Sequence, residues 1–261
     1  MLEIQNLTIT LKMSGDPVVR DVSLTVNDGE ALGLVGESGS GKTVTALTTA
    51  GLLPRSAMTA SGQILLDGAD LLKCSREELR RYQGRDIGMI FQEPMTSLNP
   101  LMKVGKQVEE SLRIHTSFTN AQRRERALSA MAAAELSDPE TLYDRYPHEL
   151  SGGMRQRVMI AAAIITDPGL LIADEPTTAL DVTIQAQIIA LLKRINKKKG
   201  ISVLFISHDL SVVRRLCTRV AVMQNGRIVE QGDVEDIFSN PTDPYTQQLI
   251  ASIPKRRKRN E

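Results

Sequence analysis

Eight consecutive residues, from Gly36 to Thr43, have the types and the spacing of a loop that binds phosphate. They fit the pattern GxxxxGK[ST], with an apolar run suited to a buried strand before them and a helix-forming stretch after them. Glycines let such a loop turn tightly enough to aim several N–H groups at one phosphate. A plain turn with a solvated lysine is the alternative, and the order strand, loop, helix favours phosphate binding. The residues of this candidate site are Gly36, Glu37, Ser38, Gly39, Ser40, Gly41, Lys42 and Thr43.

The last two residues of this loop predict the cofactors. Lys42 is expected to meet the β and γ phosphates of a nucleotide. The hydroxyl of Thr43 is placed to ligate Mg²⁺, a hard cation that keeps several waters and uses few protein oxygens. ATP and Mg²⁺ are therefore the predicted cofactors.

Two adjacent carboxylates follow the apolar run from Leu170 to Ala173. The run predicts a buried parallel strand, and Asp174 and Glu175 come at its end. An Asp-Glu pair is usually a solvated turn, but the strand before it and Pro176 after it favour chemistry. Beside the phosphate loop, Asp174 would hold Mg²⁺ through water, and Glu175 would activate the water that attacks the γ-phosphate.

Gln92 and His208 stand at the ends of two other predicted strands, Ile87 to Phe91 and Val203 to Ile206. Parallel sheets place ligand groups at the carboxyl ends of their strands. Gln92 could reach Mg²⁺ or the attacking water, and His208 would lie at the same sheet edge as Lys42. Taken alone, each is weak evidence, since a histidine at a strand end is more often structural.

A second candidate anion site begins at Ser151. Ser151 can cap the helix that follows, while Gly152 and Gly153 expose backbone N–H groups. A plain helix cap is the alternative. A chain with one phosphate loop seldom needs a second such site, unless it serves a nucleotide held by another copy.

The rest of the pattern predicts an α/β fold with a P-loop NTPase core of the RecA type. An N-terminal antiparallel β subdomain (strands from Leu2 to Leu11 and from Val18 to Val26) precedes the loop. A helical subdomain is inserted, with one apolar helix face formed by Leu128, Met131, Ala132 and Leu136. We expect the core at 1–92 and 160–240, the helical subdomain at 93–159, and an extension with a basic tail at 241–261.

Composition is that of an ordinary globular protein, with 41% hydrophobic and 24% charged residues among 261. The longest apolar run, Val158 to Ile165, is far shorter than the ~20 residues of a membrane helix, so the chain is not expected to span a membrane. The formal net charge is +1, and the tail from Lys255 to Arg259 alone supplies five positive charges. The arginines between Arg76 and Arg85 have no interleaved aromatic residues before Tyr82, which indicates a solvated face, not a nucleic-acid surface.

This set of motifs in this order resembles the ATP-binding cassette ATPases. The resemblance covers nearly the whole chain, and its most specific element is Leu150-Ser151-Gly152-Gly153. In that family two cassettes pair head to tail, so that each nucleotide lies between one phosphate loop and the partner's signature stretch. The resemblance implies that Glu175 is the general base, that His208 contacts the γ-phosphate, and that Gln92 couples the site to membrane partners. It also places Asp181 among the nucleotide-site residues.

Narrower features are similar to the ATPases of bacterial importers for dipeptides, oligopeptides and nickel or other metal complexes. These features are the stretches Gln92 to Pro100, Tyr146 to Glu149, and Asn240-Pro241 with Pro244-Tyr245-Thr246. The absence of clustered cysteines near the end favours slightly the shorter, metal-type members. The implied partners are integral membrane permease subunits, a second identical or paralogous cassette and, indirectly, an extracytoplasmic solute-binding protein, with the chain peripheral at the cytoplasmic face of the inner membrane.

Two other classes are alternatives to an importer. A soluble cassette ATPase of translation or DNA repair usually carries two cassettes or a long coiled-coil insertion. An exporter subunit matches the stretch from Gln92 to Pro100 poorly.

One family feature is missing here: an aromatic residue near the N-terminus that stacks on adenine. The first aromatic residue is Tyr82, so Met13 and Val18 are the candidates to lie against the base.

Overall fold

The computed structural model of the chain describes residues 1–178 and 180–253, without the side chains of Pro94 and Met95. The predicted basic tail from Lys255 to Arg259 lies outside these residues. The described chain contains two sheets. Their strands are β1 (Leu2–Leu11), β2 (Pro17–Val26), β3 (Ala31–Val35), β4 (Met58–Leu66), β5 (Ala69–Asp70), β6 (Ile87–Ile90), β7 (Leu170–Asp174), β8 (Ser202–Ser207), β9 (Arg219–Gln224) and β10 (Arg227–Asp233).

The helices divide into those that flank the sheets and those inserted between β6 and β7. A short 3₁₀ turn, Pro147–Glu149, lies within the insertion. The helices are α1 (Lys42–Thr49), α2 (Arg76–Tyr82), α3 (Pro94–Ser97), α4 (Val104–Val108), α5 (Glu110–His115), α6 (Asn120–Ala133), α7 (Pro139–Tyr143), α8 (Gly152–Ile164), α9 (Val182–Lys199), α10 (Leu210–Leu216), α11 (Val234–Ser239) and α12 (Pro244–Ala251).

The six-stranded sheet has the strand order β10-β9-β3-β8-β7-β6. Strands β3, β6, β7, β8 and β9 run parallel, and β10 closes the edge as a hairpin with β9. The continuous apolar runs predicted as β3, β7 and β8 are buried along their whole length. Their carboxyl ends therefore point the same way, which confirms the predicted α/β core and brings the strand-end polar residues to one edge.

The N-terminal sheet is antiparallel, as predicted, with the order β2-β1-β4-β5. Its first strand departs from strict alternation: Ile4 and Leu7 are both buried although three positions separate them. Asn6 between them has a φ of 51°, and the register shifts there against both neighbouring strands. A bulge at this point restores the apolar face toward the core.

The inserted helices form the predicted helical subdomain, with one correction to the apolar face of α6. Met131 is buried as predicted and Leu128 is half-buried, but Ala132 is exposed, and Ala127 and Ala130 are buried instead. Leu136 is buried as well, but it lies beyond the end of α6 at Ala133. The expected boundary between the helical subdomain and the core, after residue 159, falls inside α8. This helix continues to Ile164 and packs on both α6 and β6. This helix therefore joins the subdomain to the core.

Two apolar cores sit on opposite faces of the six-stranded sheet. Alternate residues of β3 enter each of them: Leu32 and Leu34 face the N-terminal sheet and α1, while Ala31 and Val35 face α8, α9 and α10. Packing on both faces explains why the strand that carries the phosphate loop is wholly apolar. Among residues 1–178 and 180–253, no helix has the length and apolar character needed to cross a bilayer.

Candidate active site at the carboxyl edge of the central sheet

The predicted phosphate loop connects β3 directly to α1. Gly41 occupies the N-cap position with a φ of 105°, and no side chain caps this helix, so the N–H groups of its first turn have no intrahelical partner. A Cβ on Gly41 would lie 2.9 Å from the carbonyl oxygen of Val18. At Gly36, where φ is 153°, a Cβ would lie 2.1 Å from the carbonyl oxygen of Met223. Only glycine fits these two positions, and the loop presents its backbone donors as an anion site does.

Lys42 is folded back onto this loop. Its Nζ donates hydrogen bonds to the carbonyl oxygens of Gly36 and Glu37, both at 2.8 Å, and the residue is buried. Burial lowers the pKa of Lys42, and the nearby carboxylates of Glu175 and Asp174 work in the opposite direction. The ammonium group is therefore held inside the loop, where an arriving phosphate would give it stronger acceptors.

Thr43 and Asp174 lie next to each other where the phosphate loop enters α1, as a magnesium site would require. The Thr43 hydroxyl donates to Asp174 Oδ1 at 3.2 Å. Burial raises the pKa of Asp174 to about 6, against the Thr43 hydrogen bond, which lowers it. Hydroxyl and carboxylate oxygens suit Mg²⁺. In the described part of the chain no group of three His, Cys, Asp or Glu residues could enclose a metal.

Glu175 is the centre of a cluster that three parts of the chain build. Its N–H donates to the carbonyl of Ile206 on β8, and its φ of 44° lies in the left-handed region. This strained backbone is typical of functional positions. The carboxylate Oε2 accepts from Gln92 Nε2 at 3.2 Å and from Thr178 Oγ1 at 2.9 Å, and it lies 3.2 Å from His208 Nδ1.

The structure therefore brings together the predicted strand-end residues and adds one that sequence reasoning missed. Thr178 lies three residues after Glu175, where its hydroxyl bonds the carboxylate. The only sequence signal for it was its place in the short stretch that follows the carboxylate pair. The Glu175 side chain is 12% exposed, whereas His208 is 60% exposed, so the carboxylate is shielded and the imidazole faces outward.

The second predicted anion site lies elsewhere in the chain. The Ser151 hydroxyl accepts from the N–H of Met154 and so caps α8, with Gly152 and Gly153 in the first turn. The nearest neighbours that a Cβ on Gly153 would meet belong to Ile184 at the start of α9. The described hydrogen bonds do not join Ser151, Gly152 or Gly153 to the phosphate loop.

Asp181 begins α9 beside that second site. Its Oδ1 accepts from the N–H groups of Thr183 and Ile184, so within one chain the carboxylate serves as a helix cap. The two residues predicted as candidates for the adenine contact lie in different surroundings. Met13 is fully exposed, whereas the backbone of Val18 lies against Gly41 of the phosphate loop.

A strand-loop-helix phosphate site with a shielded carboxylate at the end of a neighbouring strand defines a P-loop nucleoside triphosphatase. Comparison with known proteins narrows this class. Residues 19–178 match the ABC transporter family, and residues 229–261 match the C-terminal region of oligopeptide/dipeptide transporters. The chain belongs to the ABC transporter family, and it is an ATPase.

Relatives and solved structures agree with this membership. The chain is 51% identical to a probable peptide ABC transporter ATP-binding protein of Sinorhizobium fredii, over 91% of this chain and 71% of that protein. It is 49% identical to the oligopeptide transport ATP-binding protein OppD of Bacillus subtilis, over 97% of this chain and 72% of that protein. A dimeric ATP-binding cassette in a post-hydrolysis state with ADP and Pi superposes with a TM-score of 0.80 at 30% identity, covering 90% of this chain and 99% of that one.

These findings confirm the predicted resemblance and fold. A third relative, the dipeptide transport ATP-binding protein DppD of Bacillus subtilis, is 47% identical over 98% of this chain and 77% of that protein. These three relatives carry names of peptide transporters and none is named for nickel, so the slight preference for metal-type members has no support. The soluble and exporter alternatives gain no support either. The match to the peptide-transporter C-terminal region covers the segment in which the sequence lacks clustered cysteines.

Proposed function

We propose that this chain hydrolyses ATP to drive the import of peptides across a bacterial inner membrane. The observation that carries the hydrolysis is the cluster on Glu175, where Gln92, Thr178 and His208 meet one carboxylate oxygen beside the phosphate loop. The peptide assignment rests on relatives named for peptide, oligopeptide and dipeptide transport at 47% to 51% identity. It also rests on the C-terminal match.

The residues divide the work of hydrolysis. The backbone N–H groups of the loop hold the phosphates, and Lys42 exchanges the carbonyls of Gly36 and Glu37 for phosphate oxygens. Thr43 and Asp174 would hold Mg²⁺, which when bound neutralises charge on the β and γ phosphates. Glu175 takes the proton of the attacking water, and Gln92 and His208 orient its carboxylate and face the γ-phosphate.

A second cassette completes the site. Ser151, Gly152 and Gly153 lie apart from the phosphate loop of their own chain, and their N–H groups at the start of α8 suit an anion brought by another subunit. Asp181 fixes the start of α9 next to them and belongs to the same interface. The dimeric state of the structural neighbour supports this arrangement.

A groove between the core and the helical subdomain suits a membrane partner. It has a volume of about 250 Å³, and its lining includes Leu52 in the turn after α1, Phe91 after β6 and Ala162 on α8. Leu52 and Phe91 are exposed apolar side chains, 42% and 40% accessible. Gln92 follows Phe91 directly and bonds Glu175. A helix of a permease subunit seated here would therefore lie one residue from the catalytic cluster, with the cassette peripheral at the cytoplasmic face.

The function is tested in the reconstituted complex with its permease subunits and solute-binding protein. ATP hydrolysis is measured against a panel of peptides and metal chelates. We expect stimulation by peptides, whereas stimulation by metal chelates alone would reject the peptide assignment.

The groove is tested separately with Leu52→Glu, which places a charge in the apolar lining. We expect loss of co-purification with the permease in detergent and unchanged ATP affinity of the free cassette. Ala190→Glu on the exposed face of α9 is the matched control and should keep the permease bound. Equal retention of the permease by both variants would reject this docking surface.

A further inference from the structure

The start of the phosphate loop is bonded to a helix more than 200 residues away. The N–H of Glu37 donates a hydrogen bond to the Tyr245 hydroxyl, with 2.9 Å between nitrogen and oxygen. Tyr245 is buried and lies in the first turn of α12. It falls within the segment that matches the peptide-transporter C-terminal region, outside the match to the ABC transporter family.

The bonded N–H belongs to the peptide unit whose carbonyl holds Lys42. Gly36 C=O and Glu37 N–H form one rigid plane. Lys42 Nζ donates to the Gly36 oxygen at 2.8 Å, and Tyr245 accepts from the nitrogen on the other side. This plane is therefore held by a hydrogen bond at both ends. When Lys42 turns to a phosphate, only the Tyr245 bond remains, and glycine at position 36 resists rotation less than any other residue.

The position of Tyr245 is set by the sheet. Asp243 caps α12 by accepting from the N–H groups of Tyr245 and Thr246. Glu230 on β10 in turn accepts from the N–H and hydroxyl of Thr242, at 2.7 and 2.8 Å, and from the N–H of Asp243. Burial works to raise the pKa of Glu230, but these hydrogen bonds outweigh it and hold the pKa below its ordinary value. The carboxylate stays ionised at neutral pH and anchors the helix start.

The other end of the same segment borders His208. Leu249 on α12 and Ile253 beyond it line a cavity of about 670 Å³ together with His208 and Leu210. The segment from Thr242 to Ile253 thus contacts the start of the phosphate loop at one end and lines the same cavity as His208 at the other.

We propose that Tyr245 is a positioning residue for nucleotide binding and that it couples the docking of the segment from Thr242 to Ile253 to occupancy of the phosphate loop. This inference rests on the proposed role of the loop in binding ATP. The hydroxyl holds the Gly36 to Glu37 peptide in its orientation after Lys42 leaves it. Because coupling between two equilibria is reciprocal, ATP stabilises the docked helix as much as the docked helix favours ATP.

The test removes one hydroxyl. Tyr245→Phe keeps the ring and its packing, and the full chain is titrated with ATP and Mg²⁺. Because the Tyr245 bond is already made while Lys42 contacts Gly36, the net contribution of a hydrogen bond, about 0.5 to 1.5 kcal/mol, is the upper limit of the effect on ATP binding, and the dissociation constant should rise by up to about tenfold. The value of kcat at saturating ATP should stay close to that of the unaltered chain. Tyr143→Phe is the matched control, because that buried hydroxyl bonds Glu109 at 2.8 Å in the helical subdomain. Its ATP affinity should not change.

Hydrogen exchange gives a second measurement, made on the unaltered chain and on Tyr245→Phe. ATP with Mg²⁺ should slow exchange of the α12 amides, and Tyr245→Phe should abolish that slowing. The proposal is overturned if Tyr245→Phe binds ATP as tightly as the unaltered chain, or if α12 exchange is indifferent to ATP. An unaltered chain that does not bind ATP at all would instead reject the proposed function.

Discussion

Thr43 and Asp174, separated by 131 residues in sequence, are in hydrogen-bond contact: the Thr43 hydroxyl lies 3.2 Å from Asp174 Oδ1. One residue opens the helix after the phosphate loop, and the other ends β7. Asp174 is 3% exposed, and in the described part of the chain its carboxylate accepts one side-chain hydrogen bond, from the neutral Thr43 hydroxyl. Burial of the ionised Asp174 carboxylate therefore costs the protein stability, and the Mg²⁺ proposed to bind here would offset that cost.

This cost predicts a pH-dependent effect of Asp174→Asn on stability. The pKa of Asp174 is raised to about 6 from 3.8, so the native state binds the proton more tightly than the unfolded state. Ionisation of Asp174 therefore lowers the free energy of unfolding progressively as pH rises from about 4 to about 6. Above pH 6 the loss is constant, at roughly 3 kcal/mol. Asp174→Asn lacks this penalty.

We expect Asp174→Asn to raise the melting temperature of the nucleotide-free protein at pH 7 and to lose that advantage near pH 4. Thermal unfolding across this range measures it. A gain of the same size at both ends of the range would show that ionisation of Asp174 is not its source. Hydrolysis should be lost in this variant at every pH.

Lys42 and Glu175 should separate binding from catalysis. Lys42→Ala deletes a charge-assisted contact and should weaken ATP binding by roughly 1.5 to 3 kcal/mol. Glu175→Gln keeps the size of the side chain but removes the base, so hydrolysis should slow by about 10² to 10⁴ while ATP affinity persists. Equilibrium titration and single-turnover hydrolysis distinguish the two. Equal loss of nucleotide affinity in both variants would reject this division of roles.

The strand-end residues were predictable because one local pattern encodes both the strand and the position of its last side chain. A continuous apolar run predicts a buried strand, and the buried parallel strands of a sheet share one carboxyl edge. The sequence alone therefore predicts that Gln92, Asp174, Glu175 and His208 lie at one edge of the sheet.

The helix face of α6 was less predictable. Its alanine-rich sequence gives little contrast between apolar and exposed positions, and the structure buries Ala127 and Ala130 while exposing Ala132.

Contacts between distant parts of the chain were not predictable from local patterns. The bond between Tyr245 and Glu37 depends on how α12 docks on β10, and no periodicity or cap carries that information. The bulge at Asn6 could not be predicted either, because it depends on the pairing of β1 with two neighbouring strands, β2 and β4. Thr178 was missed because a threonine after a strand-end carboxylate has many uses, and only the geometry identifies this one.

Gly105 on α4 gives a test of packing away from the active site. A Cβ at this position would lie 2.0 Å from Cδ2 of the Tyr143 ring. Gly105→Ala should therefore destabilise the chain by about 1 to 3 kcal/mol, although alanine is the better helix former. Denaturant unfolding measures the loss. Gly169→Ala is the matched control because a Cβ there would meet no atom within 4 Å. If Gly105→Ala were as stable as this control, the close approach of α4 to Tyr143 would be wrong.

Ser151→Arg should damage the site whose phosphate loop belongs to the opposite subunit. Ser151 is exposed and caps α8, and described hydrogen bonds do not connect it to its own Lys42. An arginine there would obstruct a nucleotide bound by the partner and leave ATP binding to the variant's own phosphate loop intact. We therefore expect a large loss of hydrolysis in the homodimer but unchanged ATP affinity of the monomer.

Mixing Ser151→Arg with Lys42→Ala subunits tests whether this defect acts in trans. In the mixed dimer, one composite site combines the defective loop with the defective signature stretch, and the other combines two intact halves. Under conditions where the cassette homodimerises, the mixture should recover part of the hydrolysis that each variant lacks alone. The recovered rate should scale with the fraction of mixed dimers as the ratio of the two variants is changed. A mixture that stays as inactive as its components at every ratio would mean that each chain completes its own nucleotide site, and the composite-site proposal would be withdrawn.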